Sequence, residues 1–283
     1  MFAARQVKQV DGLGEREARV PKASIGGIDL FHEVTGPEGA PVVVFSNSVG
    51  STLDIWDGVV PALSDRYRCV RYDTLGHGKS GSADKPITID DLASHLEALL
   101  DTLRVASAHI VGLSLGGMTG QALASRKPGR VKSLSIVAST PYLPPFDFWT
   151  KRAATVNAEG PGAVVDQILG RWFTEPFRTA HPEAVAKVRA RFLEIDRAGY
   201  GRCCEAIGAM DLRARLPEIS APTLIIVGAE DPVTTPEMAE GMRAAIPNAQ
   251  LVVIPKAAHL ISVERPDAVS WQILGFLNSV ERA

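Results

Sequence analysis

The feature that most constrains the fold is a series of short apolar runs separated by longer stretches of helical period. Runs at 42–45, 69–72, 110–113, 134–137, 224–227 and 251–254 include Val42-Val43-Val44-Phe45 and Leu224-Ile225-Ile226-Val227. They are four residues long and rich in β-branched side chains. That is the pattern of strands covered on both faces in a parallel sheet. An earlier run, Ile28-Asp29-Leu30-Phe31-His32-Glu33-Val34, alternates in part and stops at Gly36-Pro37. Between the runs, Ile89, Leu92, Ala93, Leu96, Leu99 and Leu100 recur at steps of three and four. Asp90, Asp91, Glu97 and Asp101 lie off that stripe, so the segment reads as an amphipathic helix with acids in its first turn. Further helical patterns follow Ser114 and Pro266. Strand and helix in alternation predict an α/β domain with a mostly parallel, doubly wound sheet.

The alternation lapses between residues 141 and 213, where helical patterns dominate after Pro141-Tyr142-Leu143-Pro144-Pro145. We expect a core of residues 23–140 and 214–283, with 141–213 inserted between two core strands as a helical lid. Residues 1–22 mix charges of both signs without an apolar signal core, and read as a loosely held arm. A chain of 283 residues can bury a large core without staples. Thirty Lys and Arg against 32 Asp and Glu leave a net charge of -2, with no basic block for nucleic acid. No apolar run reaches the length of a membrane span. Cys69 and the adjacent pair Cys203-Cys204 suit neither a zinc ligand set nor a disulfide framework. A reducing cytoplasm and no metal are therefore expected.

The chemistry concentrates in Val111-Gly112-Leu113-Ser114-Leu115-Gly116-Gly117, a G-x-S-x-G string between an apolar strand and a small-residue helix. A serine there sits on a sharp, strained turn at a helix N-terminus, and glycines remove the Cβ atoms that would collide. A serine hydroxyl needs a base, and the base needs an orienting acid. Gly228-Ala229-Glu230-Asp231-Pro232 follows the run at 224–227, and Pro255-Lys256-Ala257-Ala258-His259 follows that at 251–254. Ser114, Asp231 and His259 thus fall in that chain order, each on a loop at the carboxyl end of a parallel strand. His77, in Asp73-Thr74-Leu75-Gly76-His77-Gly78-Lys79-Ser80, is the main rival base, but its glycines suggest a turn in which backbone groups hold the imidazole. His32, His95, His109 and His181 read as packing or surface residues. Glu230 competes with Asp231, which the following proline favours. For an oxyanion, the N–H groups of Leu115 and of Ser48 are the candidate donors. In the loop Phe45-Ser46-Asn47-Ser48-Val49-Gly50 that carries Ser48, Asn47 is expected to tolerate a positive φ.

These residues resemble the α/β-hydrolase superfamily from about Ile28 onward. A narrower set resembles 3-oxoadipate enol-lactonases: Ser46-Asn47-Ser48-Val49-Gly50 with Thr52-Leu53-Asp54-Ile55-Trp56, the elbow ending in Gly117-Met118-Thr119-Gly120-Gln121, the string Gly199-Tyr200-Gly201-Arg202-Cys203-Cys204-Glu205-Ala206-Ile207, and His259-Leu260 with Val263-Glu264-Arg265-Pro266. The segment Tyr142-Leu143-Pro144-Pro145-Phe146 departs from that pattern. The resemblance implies an α/β-hydrolase fold and a serine hydrolase that opens an enol-lactone to 3-oxoadipate in the β-ketoadipate route of aromatic catabolism. It implies no metal or organic cofactor, and a small lactone or ester as partner of a monomer or small homo-oligomer. The carboxylate of such a substrate wants a cation in an apolar pocket, and Trp149 and Arg152 are the candidate pocket wall and carboxylate partner. A broader carboxylesterase, a C–C bond hydrolase and a non-catalytic ligand receptor are the alternatives on the same fold.

Overall fold

A computed structural model describes residues 22–25 and 27–282; the arm expected at 1–22 lies almost wholly outside the described residues. The strands are β1 (Lys22–Ile25), β2 (Ile28–Thr35), β3 (Val42–Ser46), β4 (Arg68–Tyr72), β5 (Ala108–Leu113), β6 (Val131–Val137), β7 (Thr223–Gly228) and β8 (Ala249–Ile254). Among the described residues they form one sheet in the order β1-β2-β4-β3-β5-β6-β7-β8. From β4 to β8 every pairing is parallel, while β2 runs antiparallel to both neighbours.

The helices are α1 (Ile89–Thr102), α2 (Leu115–Arg126), α3 (Phe146–Glu159), α4 (Val165–Trp172), α5 (Glu175–Ala180), α6 (Pro182–Leu193), α7 (Arg197–Ala209), α8 (Pro236–Ala245), α9 (Ile261–Glu264) and α10 (Pro266–Val280). The apolar stripe of α1 is buried as its spacing requires, and Thr88 caps it reciprocally with Asp91. Helices α3 to α7 all fall between β6 and β7. The N-terminal end of α7 meets the loop after β4 at Gly199 and Gly76. A Cβ on Gly76 would stand 2.5 Å from the Gly199 Cα, so the two backbones touch only because both residues are glycine.

Three local expectations need revision. The sheet begins one hairpin earlier than the apolar runs suggest, since Lys22–Ile25 pairs with β2. The run at 251–254 is not covered on both faces: β8 is an edge strand, and Val253 is 44% exposed. Residues 175–180 and 236–245 are helical as well, each capped by a threonine, Thr174 or Thr235. The first is too short to display a period, and the second is led by Pro236 and interrupted by Gly241.

The order of the sheet places the site. After β3 the chain steps outward to β4, then crosses back over β3 to β5, so the strand order reverses between β3 and β5. At such a point the loops leaving the carboxyl ends diverge and leave a crevice. The loops after β3 and β5 carry Ser48 and Ser114, and those after β7 and β8 carry Asp231 and His259.

Candidate active site

Ser114 joins β5 to α2 at φ 53°, ψ -113°, the strained elbow anticipated from the motif. The sheet holds the turn from both sides: the Ser114 N–H donates to the Val137 carbonyl at 2.9 Å, and Ser139 Oγ donates to the Ser114 carbonyl at 2.7 Å. The glycines are sterically required. A Cβ on Gly112 would lie 2.2 Å from the Gly116 carbonyl oxygen, and one on Gly116 would lie 2.3 Å from that of Ser46.

His259 and Asp231 are brought together by adjacent parallel strands. His259 Nδ1 is 2.9 Å from Asp231 Oδ2, and both residues are buried. Asp231 Oδ1 accepts the N–H groups of Val233 (2.7 Å) and Thr234 (3.0 Å), while Oδ2 accepts the Thr234 hydroxyl at 2.7 Å. Burial opposes ionisation of this carboxyl, but the imidazole beside it and these donors outweigh burial and hold its pKa below the ordinary value. Glu230 is exposed, whereas Asp231 is buried against the imidazole. Among the described residues no hydrogen bond joins Ser114 Oγ to His259, although both line the same cavity. A nucleophile and base can close that contact when substrate is bound.

The rival His77 is buried, with both ring nitrogens on backbone groups. Nε2 accepts the Gly50 N–H at 2.8 Å, which makes Nδ1 the protonated nitrogen that donates to the Leu75 carbonyl at 3.0 Å. His109 lies at the other end of β5, between Ser133 and Glu281. His181 packs against Phe177 at the surface, the two rings tilted by 36°. Neither lines the cavity.

The loop after β3 differs from expectation in one respect. Asn47 does not adopt a positive φ; that conformation falls to Gly50. Asn47 is held instead by its side chain, which donates to the Tyr72 carbonyl at 2.7 Å and accepts the Trp56 indole N–H at 2.9 Å. Its carbonyl accepts the Gly116 N–H at 2.9 Å, tying this loop to the elbow. Among the described residues the N–H groups of Ser48 and Leu115, on the two tied loops, donate to no backbone partner.

The cavity beside Ser114 has a volume of about 240 Å³. Ser48, Ser114, His259, Trp149 and Arg152 all line it. The Trp149 indole donates to the Leu143 carbonyl at 2.9 Å, and the Arg152 guanidinium lies over the rings of Phe148 and Trp149 at 4.7 and 4.8 Å. Phe148, Arg171, Trp172 and Tyr200 also line it; only Tyr200 lies in a string that carries the family resemblance, and no sequence signal marks the other three as cavity residues. Arg171 and Trp172 end α4, where helical spacing marks a buried stripe but not what the stripe faces. Tyr200 is fully buried; burial pushes its phenol well above the usual range, reinforced by Cys204 and opposed by the Arg152 charge. Two further residues act through neighbours. Thr234 braces Asp231, as above. Glu264 accepts the Ala258 N–H at 2.8 Å through one oxygen, and the Thr174 N–H at 3.1 Å and hydroxyl through the other. Among the described residues no three His, Cys, Asp or Glu side chains converge as a metal site, and no helix is long and apolar enough to cross a membrane.

The sheet order, the strained serine and the buried histidine–aspartate pair define a hydrolase of the α/β type. Residues 39–270 match the alpha/beta hydrolase family, and the chain belongs to it. It is 35% identical to 3-oxoadipate enol-lactonase 1 of Acinetobacter baylyi, over 90% of this chain and 95% of that protein. The crystal structure of the enol-lactonase from Burkholderia xenovorans superposes with a TM-score of 0.89 at 37% identity, covering 91% of this chain and all of that one. A thermophilic esterase from Thermogutta terrifontis, described as malate bound, superposes with a TM-score of 0.86 at 29% identity, over 92% of this chain and 98% of that one. Family, fold and relatives make the protein an ester-hydrolysing enzyme.

Proposed function

We propose that the protein opens a small anionic enol-lactone, 3-oxoadipate enol-lactone, to 3-oxoadipate in the β-ketoadipate route. The observation that carries this reading is that Ser114, His259, Trp149 and Arg152 share one small cavity. Similarity to two named enol-lactonases supports the lactone, and a relative described as malate bound is in keeping with an acidic ligand. The reading has the enzyme act on a free small molecule in the cytoplasm, as a monomer or small homo-oligomer, without a metal or organic cofactor.

In the proposed mechanism His259 takes the Ser114 proton as the hydroxyl oxygen attacks the lactone carbonyl. Asp231 fixes the imidazole with its proton on Nδ1 and stabilises the imidazolium. The N–H groups of Ser48 and Leu115 meet the tetrahedral oxyanion, each worth about 3 kcal/mol in the transition state. Collapse breaks the ring C–O bond, and His259 returns its proton to the departing enol oxygen. The enol stays tethered to the acyl-enzyme and becomes a ketone. Water, deprotonated by His259, then attacks the acyl carbonyl and releases the acid and Ser114. Trp149 walls the cavity and Arg152 pairs with the carboxylate that the lactone carries.

The test is loss of the enol-lactone absorbance with purified wild type and Ser114→Ala side by side, with p-nitrophenyl acetate as a neutral ester. We expect wild type to turn over the lactone with a kcat/KM at least about a hundredfold above that for the ester. Ser114→Ala should lose about a millionfold in kcat while keeping the wild-type unfolding midpoint. A wild type that prefers the neutral ester would refute the lactone and leave a general carboxylesterase.

A further inference from the structure

Two arginines, Arg152 on α3 and Arg171 on α4, line the cavity, and among the described residues no carboxylate does; Asp231 sits behind the His259 imidazole. Several guanidinium groups elsewhere are paired with acids, such as Arg71 with Glu33 and Asp57, Arg130 with Asp101 and Arg215 with Asp90, while others, such as Arg202 and Arg265, donate to neutral oxygens. Among the described residues neither cavity arginine forms an ion pair. Arg152 lies beside the Tyr200 hydroxyl and the Cys204 thiol, and the contact the two arginines share is aromatic. Both reach the ring of Phe148, Arg152 at 4.7 Å and Arg171 at 5.5 Å.

A cation in the last turn of α4 gains from the helix carbonyls. That explains an arginine at this helix end, but not its convergence with a second arginine, from another helix, on one ring beside the serine. Two half-buried cations without a counter-ion raise the potential of an apolar cavity, where screening is weak. A ligand that brings negative charge relieves this, and a guanidinium suits a carboxylate because it donates two parallel hydrogen bonds.

We infer that Arg171 is a second specificity-determining residue, which together with Arg152 holds the carboxylate of the substrate, so that the cavity selects acids over neutral esters. This rests on the proposed role of Arg152 and extends it to a two-arginine site. The inference has a consequence for the product. Ring opening creates a second carboxylate at the serine end, so the product carries two negative charges in a cavity that carries two positive ones. A plain dicarboxylate should therefore bind.

The experiment has two arms. In the first, adipate is titrated calorimetrically into the Ser114→Ala protein and into the same protein with Arg171→Gln or Arg152→Gln. In the second, KM for the enol-lactone and kcat/KM for p-nitrophenyl acetate are measured for Arg171→Gln alone. We expect each arginine substitution to weaken adipate binding about tenfold or more. Arg171→Gln should raise the lactone KM by a similar factor and lower neutral-ester kcat/KM several-fold less than that for the lactone, so the lactone-to-ester preference falls. Absence of adipate binding to Ser114→Ala, or an affinity unchanged by Arg171→Gln, overturns the inference. Equal losses on both substrates also overturn it, because they mark a structural role. Adipate binding that depends on both arginines, in a wild type that leaves the lactone intact, supports the inference and refutes only the lactone reading.

Discussion

At the scale of single residues, the site separates groups proposed to react from groups that hold them. Asp231 spends its oxygens on four donors: the His259 ring, two backbone N–H groups and the Thr234 hydroxyl. Substituting Asp231 by Asn should lower kcat by about 10⁴-fold, because an amide in that place favours the wrong imidazole tautomer. Thr234→Val removes one donor and leaves the pairing intact. It should cost about tenfold in kcat with little change in KM, as measured by steady-state kinetics on the lactone. The proposed acid and base are legible in the sequence because each ends an apolar run in a short loop. Thr234 is not, because nothing in Asp-Pro-Val-Thr distinguishes a threonine that turns back to its aspartate from one that faces water.

At the scale of elements, the loop that carries His259 is fastened to the helices between β6 and β7. Glu264, at the end of α9, accepts the Ala258 N–H on one side and the Thr174 N–H and hydroxyl on the other. The Leu260 N–H donates to the Trp172 carbonyl at 2.9 Å. The proposed base and the cavity residues of α4 are therefore placed by the same anchor. Glu264→Ala would strand three buried or half-buried donors and should lower stability by about 3 kcal/mol, read as a fall in the thermal midpoint. Glu264→Gln keeps an acceptor and the fold. It should lower kcat about tenfold through a displaced His259 loop while neutral-ester KM stays near wild type. The ion pairs that join α6 to the 53–57 turn, Lys187 with Asp57 and Arg191 with Asp54, are exposed, and each adds less than about 1 kcal/mol. The glycine contact at Gly76 and Gly199 constrains the docking of α7 more, since its backbones admit no side chain between them.

At the scale of the whole molecule, burial sets the response to acid. His32, His77, His95 and His109 all have pKa values lowered chiefly by burial, so each takes up a proton more readily in the unfolded chain. Unfolding then absorbs protons below about pH 6.5, and the stability these neutral rings provide is full above that value and lost as pH falls toward their folded pKa values. Asp231 contributes with the same sign lower down. Its depressed pKa gives stability that is present above about pH 4 and is lost on further acidification. We expect the thermal midpoint to be nearly level above about pH 6.5 and to fall between about pH 6.5 and 5.5. His77→Gln should start lower, having lost the Gly50 contact, yet show a shallower fall, and scanning calorimetry across that range measures both.

The sequence alone determined the class of fold and the order of its chemistry. Periodicity reports element type: a short β-branched run bounded by turns reads as a strand, and G-x-S-x-G after such a run leaves the serine a sharp turn. What the tertiary structure decided lies in the relations between elements. The reversal of strand order at β3 brings four loops to one crevice, and no local pattern states which strand pairs with which. The exposure of β8 follows from its place at the sheet edge, which a run of apolar residues does not reveal. Asn47 serves through side-chain bonds to Tyr72 and Trp56 rather than through its own backbone. Arg152 and Arg171 stand 19 residues apart on two helices, each indistinguishable in sequence from a solvated charge. Their convergence on Phe148 depends on how those helices pack, because helical spacing fixes the face from which a side chain leaves and not what that face meets.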